Sequence, residues 1–258
     1  MNRITELFSK KQKGILSVYF TAGFPGPEDT VPVIEALTAQ GVDMAEIGIP
    51  FSDPMADGET IQNSGQIALK NGMTLTKLFG QVKNIRQKTD IPLVMMGYLN
   101  PVMQYGIENF CRECAEAGID GVIIPDLPFA DYLRDYKPVA DRYGLKFIML
   151  ITPETSEERI RLIDEHTDGF IYMVSTAATT GTQNCFSEKT LDYFRRIDGM
   201  GLRNPRLIGF GISNPATFDA AQAAANGVIV GSGFIKALSS SPDDIPQAVS
   251  RLLGQLRK

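Results

Sequence analysis

The sequence of 258 residues has few of the features that mark membrane, secreted or nucleic-acid-binding proteins. Lys and Arg total 25 against 30 Asp and Glu, and the resulting net charge of −5 argues against the basic surface of a nucleic-acid-binding protein. No run of about 18 apolar residues is present, so no membrane span is predicted. The N-terminal stretch MNRITELFSKKQKG lacks the apolar core of a signal peptide, so a cytoplasmic location is expected.

Cysteine and histidine are too sparse to predict a metal site. The three cysteines are Cys111, Cys114 and Cys185, and the only histidine is His166. Cys111 and Cys114 form a CxxC inside ENFCRECAEAG, a predicted amphipathic helix, and no second ligand pair accompanies them. Two helix cysteines in a reducing compartment are therefore favoured over a zinc or redox site. His166 falls in the last turn of another predicted helix and is interpreted as structural.

Short apolar runs alternate with longer amphipathic segments such as PEDTVPVIEALTAQ and SEERIRLIDEH, a pattern typical of repeated βα units. Several helices end in a glycine turn that leads into the next strand. Eight such units predict an α/β fold, a single (β/α)8 TIM barrel over residues 1–258, with an extra N-terminal helix at Ile4–Lys11 closing its bottom. The predicted strands are Ile15–Phe20, Met44–Ile49, Leu93–Met96, Gly121–Ile124, Phe147–Ile151, Phe170–Val174, Leu207–Phe210 and Gly227–Val230.

Glycine turns after predicted strands seven and eight indicate a phosphate site. GFGISNPATF follows strand seven, and VIVGSGFIKAL places Gly231, Ser232 and Gly233 at the start of a helical turn. Glycine lets backbone N–H groups approach an anion, and a helix N-terminus adds a favourable dipole. Ordinary tight turns are the alternative, but two glycine turns after these strands are a frequent phosphate site of this fold. The spacing matches neither GxGxxG nor GxxxxGKS/T, so no dinucleotide or P-loop site is predicted.

The loop after predicted strand six, YMVSTAATTGTQ, is long and rich in small polar residues. This composition suits a flap that closes over a substrate. Gly181, near its far end, is expected to add a further backbone N–H to the anion.

Four carboxylates lie in AEIGIPFSDPMADGET, residues 45–60, on and after predicted strand two. Glu46 lies between apolar residues, and no basic residue in the predicted strand interiors is available to pair with it. We therefore expect Glu46 to point into the barrel mouth as an acid–base group with a raised pKa. Asp53, Asp57 and Glu59 follow in the loop, where any of them can also favour a helix start. Spacing alone does not choose between Asp53 and Asp57.

The stretch AEIGIPFSDPMADG closely resembles the signature of the tryptophan synthase alpha chain family. YFTAGFPG, GYLNP (Gly97–Pro101), IPDLP (Ile124–Pro128), GFGI and GSGF resemble that family at their expected places, so the resemblance covers essentially the whole chain. It implies a lyase that splits indole-3-glycerol phosphate into indole and glyceraldehyde 3-phosphate, a retro-aldol step in tryptophan biosynthesis that uses no metal or organic cofactor. By motif, Glu46 corresponds to the general acid/base, and Asp57 corresponds to the carboxylate that holds the indole N–H.

The same resemblance implies the substrate contacts. Thr180 corresponds to a flap threonine that contacts the loop aspartate on closure. The residues implied to meet the phosphate are Gly181, Gly211, Gly231 and Ser232. The residues implied to line the indole are Tyr19, Ile61, Met96, Tyr98, Ile123, Tyr172 and Phe210.

The partner implied by the resemblance is a pyridoxal-phosphate beta chain, which receives indole through a channel in an alpha2beta2 heterotetramer. IPFSDP, Asn100, Pro101 and Pro128 resemble the contact surface for that partner. The chain departs from the family pattern S-R-x-G-V-T-G after strand six, where Thr176 and Ala178 stand in place of Arg and Gly.

Two alternative functions stay open at the level of sequence. Another phosphate-sugar barrel enzyme would keep the glycine turns, but it has no need of Glu46 and its loop. A non-catalytic regulatory subunit would agree with the altered flap, whereas the intact Glu46 and Asp57 argue against it.

Overall fold

The computed structural model describes residues 1–175 and 185–256, and these residues form a closed barrel of eight parallel strands. Neighbouring strands pair in chain order, and the eighth strand closes the barrel against the first. The strands are β1 (Ile15–Thr21), β2 (Met44–Gly48), β3 (Leu93–Met96), β4 (Gly121–Ile123), β5 (Lys146–Ile151), β6 (Ile171–Val174), β7 (Arg206–Gly209) and β8 (Gly227–Val230).

All eight predicted strands are confirmed, and their bounds differ from the prediction by one residue at most. The apolar runs predicted them well because a parallel barrel buries both faces of each strand. The largest shift is in β7, which begins and ends one residue earlier than predicted. Its end moves because Phe210 has a φ of 68°, a left-handed conformation that no strand residue adopts.

Helices connect successive strands and surround the barrel. A 3-10 turn covers Ile85–Gln87. A π-helical turn covers Tyr132–Tyr136, just before Pro138, which has no N–H to donate. No helix of the described ranges is both long and apolar enough to cross a membrane. The helices are α1 (Arg3–Lys10), α2 (Thr30–Ala39), α3 (Glu59–Lys70), α4 (Leu75–Val82), α5 (Leu99–Tyr105), α6 (Ile107–Ala117), α7 (Phe129–Asp131), α8 (Lys137–Tyr143), α9 (Glu157–His166), α10 (Glu188–Asp198), α11 (Pro215–Ala224), α12 (Ser232–Ser240) and α13 (Ile245–Leu256).

The N-terminal helix closes the bottom of the barrel, as predicted. Ile4 is fully buried and packs among the inward-facing strand residues, while Asn2 caps α1 by accepting a hydrogen bond from the Ile4 N–H. The buried carboxylate of Asp120 fastens this end, because it pairs with Arg3 and Arg86 and accepts the Leu93 N–H at 3.0 Å. The amino ends of the strands are therefore sealed, and the carboxyl ends remain for the site.

Cys111, Cys114 and His166 lie on helices, as the sequence predicted. Cys111 and Cys114 are both buried on α6 within the apolar layer between helices and barrel. Burial raises the pKa of both thiols, that of Cys111 to about 12, so neither forms a reactive thiolate near neutral pH. His166 is the last residue of α9.

Candidate active site

Glu46 lies on the inner face of β2 and is completely buried. It is level with Tyr19 on β1 and Val94 on β3. The Ser17 hydroxyl donates a hydrogen bond to Glu46 Oε1 at 2.8 Å, and no described residue forms a hydrogen bond with Oε2. Burial raises the pKa of Glu46 to about 7, although the hydrogen bond from Ser17 acts in the opposite direction. Near neutral pH the carboxyl is therefore present in both protonation states.

Asp57 lies in the loop after β2 and is held by Tyr98, which follows β3. The Tyr98 hydroxyl donates to Asp57 Oδ2 at 3.1 Å and accepts the Ala56 N–H at 2.9 Å, so one hydroxyl fixes two neighbouring loop residues. Burial raises the pKa of Asp57 to about 6, and the hydrogen bond from Tyr98 opposes that rise. The Tyr98 ring packs on Phe51, with ring centroids 5.3 Å apart.

The other two carboxylates of the stretch have different surroundings. Asp53 is exposed and accepts a hydrogen bond from the adjacent Ser52 hydroxyl. Glu59 is also exposed and is the first residue of α3, where a negative charge favours the helix dipole. Of the three loop carboxylates, only Asp57 is partly buried and joined to an aromatic hydroxyl of the site.

Two inward-facing tyrosines share the space of the two carboxylates. Burial raises the pKa of Tyr19 and that of Tyr172, and the charges of both Glu46 and Asp57 raise each pKa further. Glycines make room for both rings: a Cβ at Gly48 would lie 2.1 Å from Tyr19 Oη, and one at Gly209 would lie 2.2 Å from Tyr172 Oη. The sequence interpretation placed Gly209 in the phosphate turn and did not foresee that it and Gly48 make room for these rings. It also missed Ser17, which lies two residues from inward-facing Tyr19 on β1.

The residues proposed to line the indole lie around this space. Met96 and Ile123 are level with each other on β3 and β4, and both belong to the apolar cluster inside the barrel. Phe210 packs edge-on against Tyr172 with ring centroids 6.2 Å apart. A Cβ at Gly231 would lie 3.5 Å from Ile61 Cδ1 and 3.4 Å from Tyr19 Cβ, so Ile61 and Tyr19 meet beside β8.

Phe210 occupies a strained position at the end of β7. Its φ is 68°, and that of Gly211 is 69°, so two successive residues are left-handed. For a residue with a Cβ this conformation costs roughly 1–2 kcal/mol. The Ser175 hydroxyl donates to the Phe210 carbonyl at 2.7 Å and helps to hold the turn.

The residues proposed to bind phosphate follow β7 and β8, which are neighbours in the barrel. Gly211 lies in the turn after β7, Gly231 is the N-cap of α12, and Ser232 is its first residue. The first N–H groups of a helix have no partner within the helix, so this turn presents donors and a favourable dipole to an anion. Thr180 and Gly181, like the altered flap positions Thr176 and Ala178, lie outside the described residues.

Comparison with known proteins assigns the family. The family model described as "Tryptophan synthase alpha chain" matches residues 6–258. The tryptophan synthase alpha chain of Parabacteroides distasonis is 61% identical over 258 residues, with 100% of both chains covered. That of Flavobacterium johnsoniae is 52% identical over 257 residues, again with 100% of both chains covered.

Solved structures give the same result. Tryptophan synthase subunit alpha from Legionella pneumophila superposes with a TM-score of 0.87 at 35% identity, covering 100% of this chain and 97% of that one. A chain of tryptophan synthase from Mycobacterium tuberculosis in its aminoacrylate-bound form gives a TM-score of 0.85 at 28% identity, covering 99% and 98%. The chain therefore belongs to the tryptophan synthase alpha chain family, the lyases that cleave indole-3-glycerol phosphate to indole and glyceraldehyde 3-phosphate in tryptophan biosynthesis.

Proposed function

We propose that Glu46 and Asp57 carry out the reaction of this family in the present chain. The observation that supports this most strongly is the pairing of a fully buried carboxyl, with one oxygen free of hydrogen bonds among the described residues, and a second carboxylate held by Tyr98. Two carboxyl groups whose surroundings give them different pKa values are a common arrangement for acid–base chemistry.

The proton steps follow from these surroundings. Protonated Glu46 donates its proton to indole C3, which places positive charge on the ring nitrogen. Asp57, with a pKa of about 6, is mostly ionised at neutral pH and stabilises that charge through the N–H. Glu46, now ionised, removes the proton of the glycerol hydroxyl next to the breaking bond. The carbon–carbon electron pair returns to the indole ring, the hydroxyl carbon becomes the aldehyde, and Glu46 ends protonated as it began.

The remaining residues bind and orient the substrate in this proposal. The indole occupies an apolar slot that contains few polar groups. Apolar walls hold the flat aromatic ring, and the few polar groups fix the orientation of the ring. The phosphate binds at Gly211, Gly231 and Ser232, with Gly181 added from the flap, whereas Thr180 contacts the loop aspartate on closure. The lining residues are Tyr19, Ile61, Met96, Tyr98, Ile123, Tyr172 and Phe210.

The direct test is release of indole from indole-3-glycerol phosphate by the purified chain and its variants. Glu46→Gln and Asp57→Asn are expected to lower kcat by 100-fold or more, the usual range for a positioned acid–base group. The exposed Glu59→Gln and Asp53→Asn are the matched controls and should stay close to wild type. Near-normal turnover of Glu46→Gln would contradict the proposal that Glu46 carries the proton. No release by the wild type, together with tight substrate binding, would favour the regulatory-subunit alternative.

We also propose a pyridoxal-phosphate beta chain as partner, in an alpha2beta2 assembly that receives the indole. Met55, which is 93% exposed in the loop after β2, supports this, as does Met103, which is 59% exposed on α5 after β3. Both follow carboxyl ends of adjacent strands, so apolar surface is exposed beside the site mouth. The resemblance of IPFSDP, Asn100, Pro101 and Pro128 to the family's contact surface agrees with this location.

Mixing the purified chain with the beta chain of the same organism tests the assembly. We expect a larger complex on a sizing column and a faster release of indole, both weakened by Met55→Asp. Exposed Leu162→Asp, on α9, is the control. An unchanged rate and an unchanged elution volume would contradict the partnership. A cytoplasmic location belongs to the same proposal, and cell fractionation tests it.

A further inference from the structure

We infer that Ser17 is a positioning residue: its hydroxyl fixes Oε1 of Glu46 and leaves Oε2 as the oxygen that exchanges the proton with the substrate. This inference rests on the proposed role of Glu46 and assigns each oxygen of its carboxyl a separate task. The family signature around Glu46 does not contain Ser17, which lies on a different strand.

The geometry makes Ser17 the support of Glu46 within the barrel. Both side chains are completely buried, and the hydroxyl oxygen lies 2.8 Å from Oε1. Ser17 is level with Met44 on β2 and with Ile229 on β8, one inward-facing layer below Glu46. The neighbours of Ser17 at this level are apolar, and its hydroxyl makes the single hydrogen bond that this carboxyl forms among the described residues.

A serine hydroxyl suits this task in both protonation states of the carboxyl. It donates to Oε1 when Glu46 is ionised, and it can donate to the same oxygen when the proton sits on Oε2. The carboxyl plane therefore does not have to turn between donating a proton to the ring and removing one from the hydroxyl. The bond also favours the ionised form and so limits the rise in pKa that burial causes.

The other titratable groups around Glu46 do not compete for this role. Tyr19 from β1 and Tyr172 from β6 face the same space, and the pKa of each is raised, so both hydroxyls stay protonated near neutral pH. Asp57 contributes charge from the loop after β2, and its own pKa is about 6. An alkaline limit of activity near pH 7 is thus expected to come from Glu46.

The test compares Ser17→Thr with Ser17→Val, which add nearly the same volume and differ in the hydroxyl. For the isolated chain, kcat/KM for indole-3-glycerol phosphate is measured from pH 5 to 9. Loss of a hydrogen bond to a charged group should raise the alkaline limit by about one pH unit in Ser17→Val and lower the maximal kcat about tenfold, with KM little changed. Ser17→Thr should keep the wild-type limit. Ser241→Ala, which removes a buried hydroxyl bonded to Gln247 on the outer helices, is the control.

A readout without substrate makes the inference independent of turnover. Carboxyl titration is followed by carbon NMR in the ligand-free protein, and the Glu46 signal is the one absent from Glu46→Gln. We expect its midpoint to rise in Ser17→Val and to stay unchanged in Ser17→Thr. Suppose that Glu46→Gln is inactive, but that Ser17→Val changes neither the titration midpoint of Glu46 nor the alkaline limit of activity. That result would overturn the role of Ser17 and leave the proposed function intact. An active Glu46→Gln would instead overturn the proposed function.

Discussion

Replacing Gly48 by Ala puts a methyl group where the Tyr19 ring lies, and we expect both activity and stability to fall. The new Cβ would lie 2.1 Å from Oη, 2.4 Å from Cζ and 2.7 Å from Cε2 of Tyr19. Since carbon and oxygen atoms in contact need roughly 3.4 Å or more, the ring must move by about 1 Å. Overpacking of this kind costs about 1–3 kcal/mol of stability. A shift of about 1 Å in a group that positions the substrate can lower kcat/KM about 100-fold.

The assays for Gly48→Ala are steady-state release of indole and unfolding in urea. Gly80→Ala is the matched control, because Gly80 is exposed on α4 with open space around it. This change should leave activity unaltered and raise the free energy of unfolding by up to about 1 kcal/mol. Tyr19→Leu shortens the clashing side chain, so the double variant should lose less stability than the two single losses together. Wild-type kcat/KM and an unchanged unfolding midpoint in Gly48→Ala would refute the steric reasoning.

Four further predictions concern the two site carboxyls, Tyr98 and the sealed end of the barrel. Because ionised Asp57 and protonated Glu46 begin the reaction, kcat/KM should rise as pH increases through about 6 and fall through about 7; a flat profile from pH 5 to 8 would contradict this. The pKa of folded Glu46 lies above its ordinary 4.5, so its contribution to stability is complete below pH 4.5 and is lost as pH rises through about 7. The free energy of unfolding of Glu46→Gln should therefore exceed that of the wild type by about 3 kcal/mol well above pH 7 and by little at pH 5, as measured by urea unfolding at both pH values. Tyr98→Phe removes the donor to Asp57, so the acidic limit of activity should move to higher pH, whereas an unmoved limit would show that the bond is unimportant. Ile4→Ala, at the sealed end, should cost about 2–5 kcal/mol in urea unfolding while the folded protein keeps its kcat/KM.

The sequence predicted the barrel because burial on both faces leaves a strong apolar signal in every strand. It failed at the end of β7, where the run Leu207–Phe210 stays apolar although the backbone turns at its last residue. The π-helical turn at Tyr132–Tyr136 could not be predicted either. Side-chain periodicity does not show where backbone hydrogen bonds shift from the i→i+4 to the i→i+5 pattern.

Prediction of the site was uneven for physical reasons. Glu46 could be found because burying a lone charged residue in an apolar strand destabilises the fold, so its presence there indicates a function. Asp57 could not be separated from Asp53 by spacing, because the loop conformation decides which carboxylate turns towards Tyr98 and which stays exposed. Ser17 and Gly48 gave no signal, since small residues are common in strands and their effect depends on what lies across the barrel.

The left-handed turn at Phe210 restricts which residues this position can accept. Glycine, asparagine or aspartate would suit the backbone better, but none of them offers an aromatic wall to pack on Tyr172. Selection for backbone stability and selection for the ring therefore act in opposite directions at one residue. A library of variants at Phe210, sorted first for folding and then for growth without tryptophan, would consequently enrich different amino acids in its two steps.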